Sequence, residues 1–158
     1  MMLIGGGSGV AGSLSVLREM VIRRGNVKRC WFIFATREFS SVQWCWRAIN
    51  EILHPEDTSR RPPRGFLRLS IHVSARLTPV QQRFMESQRE LNGVFRTGRP
   101  DWKKIFRSFG SQNLGGKGIR KTKVCACANK AIYVDINRAL ASLNDPSLNI
   151  EFSSENFE

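Results

Sequence analysis

The stretch LIGGGSGVAGSLSVLREM, Leu3–Met20, decides how this chain is read. Met2-Leu3-Ile4 is a short apolar run ending in glycine, which predicts a buried strand. Behind the glycines, Leu14, Val16, Leu17, Met20 and Val21 recur at helical spacing, with Arg18, Glu19, Arg23 and Arg24 around them, and Gly25-Asn26 stops the pattern. Gly7-Ser8-Gly9-Val10-Ala11-Gly12 thus satisfies GxGxxG between a strand and a helix, the context that gives the spacing meaning. Glycines let the backbone turn sharply and approach a phosphate without a Cβ in the way, and a helix N-terminus offers unpaired N–H groups. Alone, the motif admits two readings: a dinucleotide cradle or a tight turn with no ligand.

The pattern repeats along the chain. RCWFIFA (Arg29–Ala35) predicts a second strand, buried on both faces, and SVQWCWRAINEIL (Ser41–Leu53) a second helix with Ser41 as its cap. HPEDTSRRPPRG (54–65) is loop, and FLRLSIHVSA (Phe66–Ala75) a third strand. Pro79–Leu91 is polar and helix-competent, and reads as an insertion. RPDWKKIFRSFG (Arg99–Gly110) predicts a third helix, started by Pro100 and stopped by Gly110. KVCACA (Lys123–Ala128) follows as a strand, Lys130–Leu143 as a helix and LNIEF (Leu148–Phe152) as the last strand. Parallel strands need helical crossovers, so the expected fold is α/β: one domain over 1–158, in three layers, with a five-stranded parallel sheet covered by helices on both faces.

The composition fits. The 158 residues include 25 Lys and Arg against 13 Asp and Glu, a formal charge of +12, which favours an anionic partner or simply a basic solvated surface. Charge is the sole feature pointing to nucleic acid, and no groove-reading or single-strand motif accompanies it, so nucleic acid is not the expected partner. No window reaches the roughly 18 apolar residues of a membrane span, and no signal peptide opens the chain, so a soluble, intracellular chain is expected. Cys30, Cys45, Cys125 and Cys127, with His54 and His72, lack metal-ligand spacing. Trp31, Trp44, Trp46 and Trp102 read as core or sheet-covering residues. Arg60, Arg61 and Arg64 read as either an anion patch or a solvated loop.

The exit of the second strand adds chemistry. Ligands of parallel α/β sheets sit at the carboxyl ends of the strands, where an acid prefers a ribose hydroxyl and an arginine holds a 2′-phosphate. FATREFSS places Arg37 there, with Glu38 beside it. Position alone leaves Arg37 as either a phosphate ligand or a solvated arginine.

Several segments, in order, resemble one family. LIGGGSGV, FIFATREFSSVQW, GRPDWKKIF (Gly98–Phe106), VCACANKAI (Val124–Ile132) and IEFSSENFE (Ile150–Glu158) are similar to the C-terminal NADPH-binding domain of the NADPH oxidase and ferric reductase family, itself related to ferredoxin–NADP reductases. The resemblance implies NADPH as ligand. Gly5, Gly6, Gly7, Ser8 and Gly9 would form the pyrophosphate and nicotinamide-side turn. Arg37 would bind the 2′-phosphate, and Arg99 and Pro100 would lie beside the adenosine. Cys127 would sit near the nicotinamide and flavin rings, and Phe157 would match the terminal aromatic that packs over the flavin. The implied chemistry is hydride transfer from NADPH to FAD, which needs alignment of two rings and no general acid or base. In the family, electrons then pass through membrane haems to oxygen or ferric iron, at the cytosolic face of a membrane, the plasma membrane.

The sequence departs from the family pattern. Its Thr-Pro-Phe is Ala11-Gly12-Ser13 here, with Ser13 a substitute helix cap. Cys-Gly-Pro is Cys127-Ala128-Asn129, adding a Cβ where backbone would approach the cofactor, and Glu158 extends past Phe157. The flavin barrel and haem-bearing helices of the family are absent, so a fragment is expected, partnered by a flavin-binding domain or chain and reaching a membrane only through the missing haem domain. The competing expectation is a non-catalytic, degenerate dinucleotide-binding module.

Overall fold

The computed structural model describes residues 1–23, 25–87, 93–113, 122–143 and 150–156. Its elements run β1 (Met2–Gly6), α1 (Val10–Ile22), β2 (Cys30–Thr36), α2 (Phe39–Leu53), β3 (Leu67–Val73), α3 (Pro79–Ser87), β4 (Phe95–Thr97), α4 (Trp102–Asn113), β5 (Thr122–Ala128), α5 (Lys130–Leu143) and β6 (Ile150–Asn156). The strands form one sheet in the order β4-β3-β2-β1-β5-β6, every pair parallel. The α/β sheet with flanking helices is as expected, with six strands instead of five. The additional strand, β4, has three residues between Gly93 and Gly98, both at positive φ. Three residues are too few to show a period.

Two cores sandwich the sheet. Successive strand residues point to opposite faces, so Leu3, Phe32 and Phe34 pack beneath α1 and α2, while Met2, Ile4, Trp31 and Ile33 pack beneath α4 and α5. All of β1 and β2 is buried, which explains their uninterrupted apolar sequence. α1 supplies Leu14, Leu17 and Val21 to the first core, and α2 supplies Val42, Cys45, Ile49 and Ile52. α4 and α5 supply Trp102, Phe106, Phe109, Tyr133 and Ile136 to the second. Each such side chain contributes about 1.5–3 kcal/mol by leaving water. α3 buries no residue completely; Phe84 meets Phe39 edge-on, with ring centroids 5.7 Å apart.

Several boundaries differ from the sequence reading. α2 begins at Phe39, so Ser41 lies inside it, its N–H donating to the Glu38 carbonyl. α4 begins after Asp101, whose carboxylate accepts from the Lys104 N–H at 3.0 Å; Pro100 precedes that cap, and Gly110 lies inside the helix. A buried stripe thus carries α4 past a glycine. β6 runs on to Asn156, and the predicted start at Leu148 falls outside the described residues, as do 88–91 of the predicted insertion. Trp44 is not a core residue: it is 71% exposed on the outer side of α2. Arg60, Arg61 and Arg64 are exposed, and Arg60 pairs with Asp57 at 3.1 Å.

β3 carries a buried titratable group. The His72 Nε2 lies 2.9 Å from the Ser70 hydroxyl, and among the described residues Nδ1 has no hydrogen-bond partner. Burial, helped by the positive charge of Arg96, pushes the imidazole down to about 4 from its usual 6.5. Between those values the unfolded chain binds a proton that the folded chain refuses. The stability His72 contributes is therefore complete above pH 6.5 and is lost as pH falls through about 4. His72→Gln is expected to flatten the acid-side decline in that window, read as denaturant midpoints of the two proteins against pH. Parallel curves would contradict it.

Candidate functional site

The glycine run closes β1 onto α1 through one turn of 3-10 helix, Gly7–Gly9. Its glycines serve different ends. A methyl added at Gly6 would meet the Ala128 Cβ at 2.7 Å, and one added at Gly9 would lie 2.6 Å from the Cys127 carbonyl carbon. Gly5 is tight as well, 3.1 Å from the Val10 Cα. These glycines are demanded by the approach of β5 and α1. Gly7 differs: its φ is +56° and nothing lies within 4 Å of an added Cβ. It borders the open cleft, and Ser8 beside it is exposed. Ser13 is no cap. It is buried within α1, and its hydroxyl donates to the Ile4 carbonyl at 3.1 Å, fastening helix to strand.

Next to this turn, β2 ends at Thr36 and releases Arg37 to solvent. The backbone there is pinned to the exit of β3. The Ser74 N–H donates to the Thr36 carbonyl at 3.0 Å, and the Ala75 N–H donates to the Arg37 carbonyl at 2.9 Å. Arg99 and Pro100 come from the link between β4 and α4, just before the helix N-terminus capped by Asp101. The N-terminus of α5 arrives from the other side, its Asn129 side chain accepting from the Ile132 N–H at 3.1 Å.

These pieces line one cleft of about 340 Å³ at the carboxyl ends of the strands. Gly7, Arg37, Arg99 and Pro100 share it, with Ser41 and Ser74 supplying hydroxyls; Thr36 lines it too, its own hydroxyl bonded to the Glu38 backbone. Trp102 and Ile132 form apolar wall, and Glu38 and Asp135 add carboxylates. Two guanidinium groups and two helix N-termini around one concavity suit a polyanion with a flat apolar part, and the volume is that of a small-ligand site. Among the described residues, Arg37 and Arg99 make no ion pair.

The remaining expected residues lie elsewhere. Cys127 is buried at the end of β5, in register with Gly5, and is not among the cleft-lining residues. Phe157 lies outside the described residues; β6 is described to Asn156, abreast of Ala128. The Ala128 methyl faces Gly6 and belongs to the core beneath α4 and α5, so it does not crowd the cleft as the sequence comparison implied.

Sequence reasoning missed Tyr133. Its hydroxyl donates to the Ala126 carbonyl at 2.8 Å and accepts from the Ala128 N–H at 3.2 Å, holding the end of β5 at the point where α5 begins. The only signal was its being the single tyrosine of the chain, on the apolar face of a helix. Tyr133→Phe leaves that buried N–H and carbonyl without this partner and is expected to cost about 1–3 kcal/mol of unfolding free energy. Chemical denaturation measures it; an unchanged midpoint would refute the role.

A second groove, of about 330 Å³, lies between α1 and α2. Leu14, Val21, Ala48 and Ile52 line it beside Trp44. It sits on the helical flank, away from the strand ends; of its charged members, Glu51 pairs with Arg47 at 3.0 Å and Arg60 with Asp57, and Arg18 lines it as well. Convergent polar donors mark the first cleft, not this one, as the place for an anionic ligand.

Known proteins give the same picture. The family model described as ferric reductase NAD binding domain matches residues 1–139. The chain is 24% identical to NADPH oxidase 4 of Rattus norvegicus over 156 residues, covering 98% of this chain and 26% of that protein. It is 23% identical to ferric/cupric reductase transmembrane component 2 of Schizosaccharomyces pombe over 150 residues, covering 91% of this chain and 25% of that protein. The chain thus spans about a quarter of the length of these relatives. Among the described residues, no helix is long and apolar enough to cross a membrane.

Proposed function

The chain belongs to the family of ferric reductase NAD-binding domains, and from that premise we propose that its cleft binds NADPH and presents the nicotinamide to a flavin held by another domain. The convergence of Gly7, Arg37, Arg99 and Pro100 in one cleft carries the reading. In it, the Gly5–Gly9 turn and the start of α1 hold the pyrophosphate. Arg37 takes the 2′-phosphate, and Arg99 and Pro100 flank the adenosine. Cys127, at the end of β5, belongs to the nicotinamide end, and Phe157 keeps the flavin-covering role that the resemblance implies.

FAD supplies the hydride acceptor in such a system. The residues described here support a place for it outside this chain. A second diphosphate would need a second cradle, and among the described residues the α1–α2 groove is lined by no glycine turn and lies on the helical flank. The task of this chain is to bind NADPH, to fix the angle of its nicotinamide and to shield that ring from water. In the larger protein, we place the domain at the cytosolic face of a membrane, feeding electrons through haem to oxygen or to ferric iron. The names of the relatives, an NADPH oxidase and a reductase transmembrane component, support that placement.

One observation favours a second reading, a binding module without catalysis: Cys127 is buried and outside the cleft lining. Two measurements separate the readings. Calorimetric titration of the chain with NADPH and NADH tests binding, and tighter binding of NADPH is expected under both. Anaerobic mixing of NADPH with the chain fused to a flavin-loaded reductase barrel tests transfer. Bleaching of the flavin supports the catalytic reading, and an unbleached flavin with NADPH bound supports the module. No binding of either nucleotide overturns both.

A further inference from the structure

Arg37 and Glu38 stand side by side where β2 ends, and they favour opposite cofactors. An arginine there attracts a 2′-phosphate; an acid there attracts a free ribose hydroxyl and repels the phosphate. Something must decide which of the two addresses the ligand. Both residues border the cleft, so burial does not decide.

The local hydrogen bonds do. The Thr36 hydroxyl donates to the Glu38 carbonyl at 3.3 Å and accepts from the Glu38 N–H at 3.3 Å, closing a three-residue turn with Arg37 at its apex. Short side-chain-to-backbone turns of this kind fix the backbone they span. The two bonds from Ser74 and Ala75 hold the same turn to β3. The Glu38 carboxylate is engaged separately, accepting from the Ser40 hydroxyl at 3.4 Å, while Arg37 makes no ion pair among the described residues. The turn therefore offers a guanidinium and holds the Glu38 backbone, while one oxygen of the acid accepts from Ser40.

We propose that Thr36 is a positioning residue for cofactor selection: its hydroxyl holds the turn that aims Arg37 at the 2′-phosphate and keeps Glu38 from competing for the same place. The proposal rests on the reading of the cleft as an NADPH site. Without the hydroxyl, the turn loosens, Arg37 spends less time in the phosphate-binding pose, and Glu38 approaches the ribose. The loss falls on ligands carrying the 2′-phosphate and spares those without it.

Thr36→Val removes the hydroxyl at nearly constant shape, and Thr36→Ser keeps it. The probes are 2′,5′-ADP and 5′-AMP, which differ only in the 2′-phosphate and need no flavin, with affinities read by calorimetry. Thr36→Val is expected to weaken 2′,5′-ADP roughly three- to tenfold, the scale of one or two lost hydrogen bonds, with 5′-AMP within about twofold and Thr36→Ser near wild type. Losing both probes equally would make Thr36 merely structural and overturn the proposal. Unchanged discrimination in a folded Thr36→Val protein would overturn it too, and circular dichroism checks the fold. If wild type itself does not prefer 2′,5′-ADP, the NADPH reading fails first, and the proposal falls with it. If wild type discriminates and Thr36→Val does so equally, the proposal alone fails.

Discussion

Arg37→Ala is expected to weaken NADPH roughly tenfold to a hundredfold while leaving NADH within about twofold, because a charge-assisted hydrogen bond contributes about 1.5–3 kcal/mol and only NADPH carries the 2′-phosphate. The guanidinium is exposed, on a backbone pinned to β3, and makes no ion pair among the described residues. Its removal therefore takes away a ligand contact and leaves no buried partner behind. The variant should unfold at the wild-type midpoint. Calorimetric titration with each nucleotide reads the effect, and equal losses for NADPH and NADH would reject the assignment. Raised salt should narrow the difference between the nucleotides in wild type, since the contact is open to solvent.

The second large effect separates glycines that sequence alone lumps together. Gly9→Ala drives a methyl into the backbone carbonyl of Cys127, and neither backbone has a flexible end to yield. Overpacking of this kind costs about 3 kcal/mol, or roughly 6–12 °C in melting temperature for a chain of this size. Gly7→Ala meets open space and suffers only the left-handed backbone, about 1–2 kcal/mol. Gly7 lines the cleft, so NADPH binding should fall by more than stability does. Thermal melts paired with titrations give both numbers for both variants. A Gly9→Ala protein as stable as wild type would contradict the packing account of the turn. A Gly7→Ala protein with undiminished affinity would move the ligand away from β1.

That contrast shows how far the sequence reaches. The run Met2–Ile4, the glycines and the helical spacing of Leu14, Leu17 and Val21 are local signals, and each became the expected element. The uninterrupted apolar run of β2 announced a strand buried on both faces, and the two cores explain it. Arg37 could be placed because strand ends are where ligands of parallel sheets sit. What stayed hidden depends on residues far apart in the chain. Gly6 and Gly9 are constrained by Cys127 and Ala128, and no periodicity in the first segment reveals that. β4 is too short to show a pattern and exists because β3 offers it an edge. Trp44 looked like core from its composition, but the opposite side of α2, with Val42, Cys45 and Ile49, already fills that space. The clamp of Thr36 on Glu38 needs coordinates, since threonine at a strand end is ordinary.

Where the dinucleotide lies is tested directly by an amide chemical-shift map of the isotope-labelled chain titrated with NADP⁺. The expected result is one contiguous set of large shifts at Gly7, Arg37, Ser74, Arg99 and Asn129, around the strand ends. Large shifts confined to Leu14, Trp44 and Ala48, in the groove between α1 and α2, would contradict it.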